Sequence, residues 1–370
     1  MCSQDTIVSN RAPIVFHLKS TVIPGWAKAL FLALAVLSET DASTRFPPVL
    51  SLTEKTHDSL ILNGLDSMQR GNYASAESVM ASLPDIPARG YFRGLVLAAK
   101  SADLGDTAAL SIAAGEWKRL DDAGERSPDP QYVLYRGLSQ LQLSYVASER
   151  GGRITAARLG RKAAKTLEPV AAYVEAEAAL ALFDYYKAQL LKGVSWLPFV
   201  TADREGPLKR LEAAIPRSHY LKDVLETSLL WIHYDAGRYD AGLPAIRAFL
   251  ARYPGNRPAR AMLADFLFRK GGKADLDSAL ALHLRLAAEY QSIFASARPG
   301  SLLPVGYLCS VGNLAKIYAA RKESDALRGQ LSIWNSPAHR GIMDWLPESL
   351  VREVGALKKE NQPPTGPAGR

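Results

Sequence analysis

The sequence predicts an all-α fold, a solenoid of stacked antiparallel helix pairs, on three observations. Apolar residues recur at i, i+3 and i+4 in runs of helical length along most of the chain. Glycines, two of them followed two residues on by tyrosine, punctuate these runs with a period of roughly 34 residues. No Pro/Gly/Ser-rich linker cuts the middle of the 370 residues, and a solenoid tolerates that length because its core grows along one axis.

The N-terminal region stands apart. Lys28, the apolar run Ala29 to Leu37 and the polar, small-residue stretch through Ala42 and Ser43 form a positive flank, a short apolar core and a cleavage region. That order is expected of an export signal over residues 1–43, which puts the protein in the periplasm. The run is too short for the roughly 20 residues of a spanning helix; an uncleaved signal anchor is the alternative, and membrane contact would come only through it. No Cys follows at the place a lipid anchor requires.

The pairs follow in order. "SLILNGLDSMQRGNYASAESVMASLP" places Gly64 in the first helix, Gly71 and Tyr73 at the hinge, Ala76 early in the second helix and Pro84 after it. The second pair hinges at Gly105 and closes on Trp117 and Leu120; the third hinges at Gly151 and Gly152. The fourth, from Pro169 to about Ala214, is interrupted over 193–207, where Trp196 and Phe199 are expected to fill the gap. In the fifth, Leu221, Val224, Leu225, Leu229, Ile232 and His233 share a face, Gly237 ends the helix, and Tyr239 fills the elbow. Gly242, Ile246, Phe249 and Leu250 then point inward until Pro254. The sixth hinges at Gly271 and Gly272, with a short insertion expected before Ala279. The seventh carries Gly312 in mid-helix, for about seven pairs in all. A capping helix is expected over 335–360, with Glu348 in its first turn after Pro347. Residues 361–370 have nothing to bury and are expected to be disordered.

The copies Gly64, Gly71, Tyr73, Ala76, Pro84 and Gly237, Tyr239, Gly242, Pro254 resemble the tetratricopeptide repeat family, with Leu230 standing where that pattern has a small residue. The resemblance implies a right-handed superhelix over 44–334 whose first helices line a concave groove for a protein or peptide partner. In that register Trp231, Tyr234, Asp265, Arg269, Asn313 and Lys316 face the groove, a mixture of aromatic area and oriented polar groups suited to an interface.

Chemistry beyond binding leaves no signature. There is no G-x-S-x-G elbow, phosphate loop or H-E-x-x-H. His17, His57, His219, His233, His283 and His339 are scattered, and His233 reads as a core or groove histidine rather than a ligand. Glu348 and Ser349 are followed by too few residues for a catalytic domain. With only Cys2 and Cys309 there is no disulfide framework, and Cys309 reads as a small buried hydrophobe. No cofactor or metal is expected. The net charge of +8 accompanies no nucleic-acid-reading module, so no nucleic acid is expected. Arg158, Arg161, Lys162 and Lys165 form a basic ridge that is either a solvated outer face or a dock for an anionic surface, with Ala157, Gly160, Ala164 and Leu167 on the opposite side. Two readings result: a non-catalytic binding scaffold of the cell envelope, or an accessory subunit of an envelope enzyme or an unrecognised enzyme acting there.

Overall fold

A computed structural model describes residues 55–149, 152–191, 203–296 and 304–361. The export-signal region, Trp196, Phe199, Gly151 and residues 362–370 lie outside them. The described residues form an all-α solenoid with no strand.

Among the described residues, seven antiparallel pairs and a cap account for the α-helices. The pairs are α1 (Lys55–Gln69) with α2 (Tyr73–Ser82), α3 (Pro87–Leu104) with α4 (Thr107–Ala123), and α5 (Pro130–Glu149) with α6 (Arg153–Leu167). Next come α7 (Val174–Leu191) with α8 (Glu205–Ala214), and α9 (Lys222–Asp235) with α10 (Tyr239–Arg252). The last are α11 (Arg257–Lys270) with α12 (Lys273–Ala295), and α13 (Val305–Arg321) with α14 (Ser324–Trp334), followed by the cap α15 (Glu348–Glu360). The first helices of successive pairs pack directly on one another from α1 through α7 and from α11 through α15. They therefore form the inner layer of the curve, with the second helices outside. Leu230 and Ile232 of α9 contribute to separate core clusters, so α9 joins the two stacks.

The hinges do what their residues permit. Gly71, Gly105, Gly237 and Gly271 all have φ between 70° and 79°, the left-handed conformation that ends a helix cheaply only in the absence of a Cβ. In the seventh pair Lys322 takes the same conformation at φ 61°. Inside the pairs a second rule holds: a glycine on the first helix receives a large side chain of the second. A Cβ on Gly64 would lie 2.5 Å from Met80, on Gly94 2.3 Å from Trp117, on Gly137 2.5 Å from Leu167 and on Gly312 2.6 Å from Trp334. Gly242 works between pairs, accepting Phe266 of α11. Leu230 breaks the rule without opening a gap, because it is buried in a cluster with Leu243 and Ile246 of α10.

The short insertion expected before Ala279 is taken up within α12, which runs unbroken from Lys273 to Ala295. Three expectations need correction. The 193–207 interruption is shorter than expected, since α8 already begins at Glu205, where Asp203 Oδ1 accepts from the amides of Glu205 and Gly206. The cap over 335–360 is a 3₁₀ run, Pro337–Trp345, and then α15, because Pro347 sets the start of the α-helix. On α6 the buried residues are Ala156, Gly160, Ala163, Ala164 and Leu167, while Ala157 is only half-buried.

The largest departure from a simple solenoid is that the array closes on itself. Tyr220, just before α9, hydrogen-bonds Asp58 near the start of α1, and its ring lies 5.5 Å from that of Phe92 on α3. At the other end of α1, the Asn256 amide nitrogen donates to the Gln69 carbonyl at 2.8 Å while Asn256 Oδ1 caps α11 through the Ala259 amide. Helix α1 thus bridges the starts of α9 and α11. Between them Asp103, fully buried at the end of α3, accepts from Tyr73 at 3.0 Å, from Tyr290 of α12 at 2.6 Å and from Arg257 Nε of α11 at 3.0 Å. A buried carboxylate is tolerable when its oxygens are this fully engaged. Burial and the Asp103 charge both push the Tyr73 and Tyr290 hydroxyls far above the usual tyrosine range, so they remain donors.

Candidate functional site

The inner layer brings the six sequence-named groove residues onto three neighbouring helices, and α15 adds a seventh that ties most of them together. Tyr234 of α9 packs edge-on against Phe266 of α11 at 5.6 Å, and its hydroxyl accepts from Arg269 Nε at 3.3 Å. Arg269 also donates to Glu353 of α15 at 3.1 Å. Lys316 of α13 lies 2.7 Å from the other Glu353 oxygen, donates to Asn313 Oδ1 at 3.1 Å, and sits 5.2 Å from the Phe268 ring centroid.

The charges reinforce one another. Burial alone would push the Glu353 carboxyl up, but Lys316 and Arg269 outweigh it and hold it below the usual carboxylate range. Burial likewise disfavours the Arg269 charge, yet Tyr234 and Glu353 raise its pKa. The result is a cation–anion–cation ladder across α11, α15 and α13. Asn313 is buried and serves this ladder instead of facing an open groove, and Arg269 and Lys316 are both engaged by Glu353.

Asp265 points differently. Its carboxylate is 3.6 Å from Nε2 of His283, a residue 1% exposed whose two ring nitrogens have no hydrogen-bond partner. Nearby Cys309 is half-buried; burial, with help from Asp265, pushes its thiol up to about 12, leaving it an inert thiol at neutral pH. His233 is buried as expected, but its Nδ1 is unpartnered, and burial lowers its pKa.

Of the six, Trp231 alone is exposed. It is 48% exposed, with only its edge held against Tyr234 at 5.9 Å. The sequence reading missed Glu353, since one acid in a capping helix has no local signature, and it missed the exposed Tyr145 of α5 and Tyr186 of α7. Those two had a usable signal: like Trp231, each sits about one turn before the end of its first helix.

The basic ridge is divided. Lys162 lies 2.8 Å from Asp121 of α4, a carboxylate also bonded by Arg136 and Gln140. Burial pushes Asp121 up, but Lys162, Gln140 and Arg136 together hold it low. Lys162 is thus a strut between the second and third pairs. Arg161 is half-buried, and Arg158 and Lys165 remain exposed on the outer layer.

No family model matches the chain, and no curated protein matches it. Among solved structures, it is similar to a tetratricopeptide repeat protein from Parabacteroides merdae ATCC 43184, at 12% identity, with a TM-score of 0.35, over 83% of this chain and 100% of that one. No cluster of His, Cys, Asp and Glu able to hold a metal occurs among the described residues, and none of their helices is long and apolar enough to cross a membrane.

Proposed function

We propose that the chain is a non-catalytic scaffold that holds a protein or peptide partner on its inner layer, in the cell envelope after export. The observation that carries this reading is Trp231, an indole 48% exposed beside a ladder in which Glu353 bridges Arg269 and Lys316. Large exposed aromatics on a rigid frame are what binding hot spots are made of. The frame itself is fixed by Glu353, which leaves the aromatic surface as the variable contact. The exposed Arg158 and Lys165 add a secondary outer contact for an anionic surface.

Affinity purification of the native protein with mass spectrometry tests the scaffold. A partner recovered in stoichiometric amount should be lost with Trp231→Ala, a substitution expected to change folding stability by no more than about 0.5 kcal/mol because the side chain is half exposed. Undiminished recovery with that variant sinks the groove assignment, and turnover of an envelope substrate by the purified protein sinks the non-catalytic reading. Export has its own check: the N-terminus of protein from its native host should begin near Ser43 or Thr44, and intact residues before Lys28 would refute it.

A further inference from the structure

The outer layer holds a cleft of its own. Helix α11 packs directly on both α10 and α12, and where the three meet a cleft of about 390 Å³ is lined by Leu263 and Leu267 of α11. Arg247 of α10 and Arg285 of α12 line it as well, one arginine from each outer helix. That volume lies within the range of roughly 300–1,000 Å³ that ligand sites occupy.

Both arginines are exposed, and neither guanidinium makes a hydrogen bond or ion pair among the described residues. Their neighbours differ. Arg252, further along α10, is held by Asp223 and Glu226, and Arg260 of α11 is held by Glu289 at 2.6 and 2.5 Å. Glu289 stands one turn beyond Arg285 and is the acid that would ordinarily pair with it; Arg260 has taken it. Asp277 of α12 is likewise engaged by Arg321. Asp275 lines the cleft without pairing to either arginine.

Three features of the cleft select a ligand. Two unpaired guanidiniums in one cleft favour an anion, and each offers the planar fork that suits a carboxylate. Leu267 is buried and Leu263 and Leu282 are half-buried, so an apolar group that reaches them removes more apolar surface from water. Finally, the cleft also presents acceptors. The Ser278 hydroxyl donates to the Ala274 carbonyl at 2.9 Å, which leaves its oxygen, like the Asp275 carboxylate, to accept from the ligand. A bare polyanion would meet repulsion from Asp275, whereas a peptide brings carboxylates, an apolar side chain and backbone N–H groups together.

We infer that this outer cleft docks a short acidic segment of a partner protein, with an apolar side chain on Leu263 and Leu267, flanking carboxylates on Arg247 and Arg285, and a backbone N–H donated to Asp275. The site lies on different helices from Trp231, so it is a second contact surface that stands or falls apart from the inner-layer reading.

Fluorescence anisotropy of the full chain with three labelled hexapeptides tests it: Glu-Glu-Leu-Leu-Glu-Glu, Lys-Lys-Leu-Leu-Lys-Lys and hexaglutamate. The first should bind at least about tenfold tighter than either of the others. Arg247→Ala and Arg285→Ala should each weaken it by about tenfold, the effect of losing one charge-assisted hydrogen bond, with helical circular dichroism unchanged because both side chains are exposed. Trp231→Ala should leave this binding as it was. Equal binding of hexaglutamate would reduce the site to a charge effect and overturn the inference, as would indifference to the two arginine substitutions or a loss on Trp231→Ala. Phosphatidylglycerol vesicles that bind through Arg247 and Arg285, with no binding of the leucine-containing acidic peptide, would replace the peptide by a lipid surface. If that peptide fails while a captured native partner still depends on Trp231, this inference falls and the scaffold reading stands.

Discussion

Arg257 Nε lies 3.0 Å from Asp103 Oδ2, joining the sixth helix pair to the second across 154 positions of sequence. Asp103 is fully buried and the Arg257 side chain is 14% exposed, so each is the main compensation for the other's charge. Burial disfavours the Arg257 charge, but Asp103 outweighs it and raises the pKa.

Removing one partner should therefore cost far more than a surface pair would. Asp103→Ala is expected to destabilise by about 3–5 kcal/mol, because it strands a largely buried guanidinium and two tyrosine hydroxyls. Urea denaturation measures this. The double substitution Asp103→Leu with Arg257→Met should recover a substantial part of the loss, and no recovery would mean that the pair is not the origin of the cost.

The Glu353 ladder should appear in the acid limb of stability. Its folded pKa lies below the unfolded value, so its contribution is complete above the ordinary glutamate pKa of about 4.3 and is lost as pH falls through the folded value. Glu353→Gln should cost about 1–3 kcal/mol at neutral pH and flatten the fall in stability below pH 4. Melting curves of both proteins between about pH 3 and 7 decide it.

Lys322 offers a gain. It is exposed, and it takes a left-handed conformation that costs a non-glycine residue about 1–2 kcal/mol. Lys322→Gly should raise the melting temperature, corresponding to about 1 kcal/mol after the added chain entropy of glycine is counted. Gly237→Ala should do the reverse by a similar amount, through strain alone, since nothing lies within 4 Å of its added Cβ.

Crowding at the first-helix glycines gives a further test. In Gly94→Ala the new methyl would fall 2.3 Å from the indole nitrogen of fully buried Trp117, which donates to the Tyr91 carbonyl. A loss of about 1–3 kcal/mol is expected, with a changed near-ultraviolet tryptophan signal. An unchanged signal would show that the indole is not held there.

The features legible in the sequence are those written in neighbouring residues. Helical stripes, the positive-φ hinges at Gly71, Gly105, Gly237 and Gly271, and the elbow aromatic Tyr239 are all local signals, and the structure places each where its physics requires. Tyr73 shows the limit: it is an elbow residue by position, yet its hydroxyl is spent on Asp103, a role set by residues far away. Asp103 lies in "KSADLGD", where nothing distinguishes a buried carboxylate from a solvated one. Of the groove residues, Trp231 and Tyr234 read alike in sequence, and only the structure separates them, Trp231 exposed and Tyr234 packed on Phe266. The engagement of Arg269, Lys316 and Asn313 was not legible, because the Glu353 that holds them together arrives from the cap.

Closure changes what the first pair is. In an open array a terminal unit leans on one neighbour only, so it frays first and its amides exchange fastest. Here Asp58, Gln69 and Asp103 hold the first two pairs against the fifth and sixth. Amides of α1 and α2 should then exchange with solvent as slowly as those in the middle of the array, and trimming the first pair should loosen α11 and α12, five pairs further on.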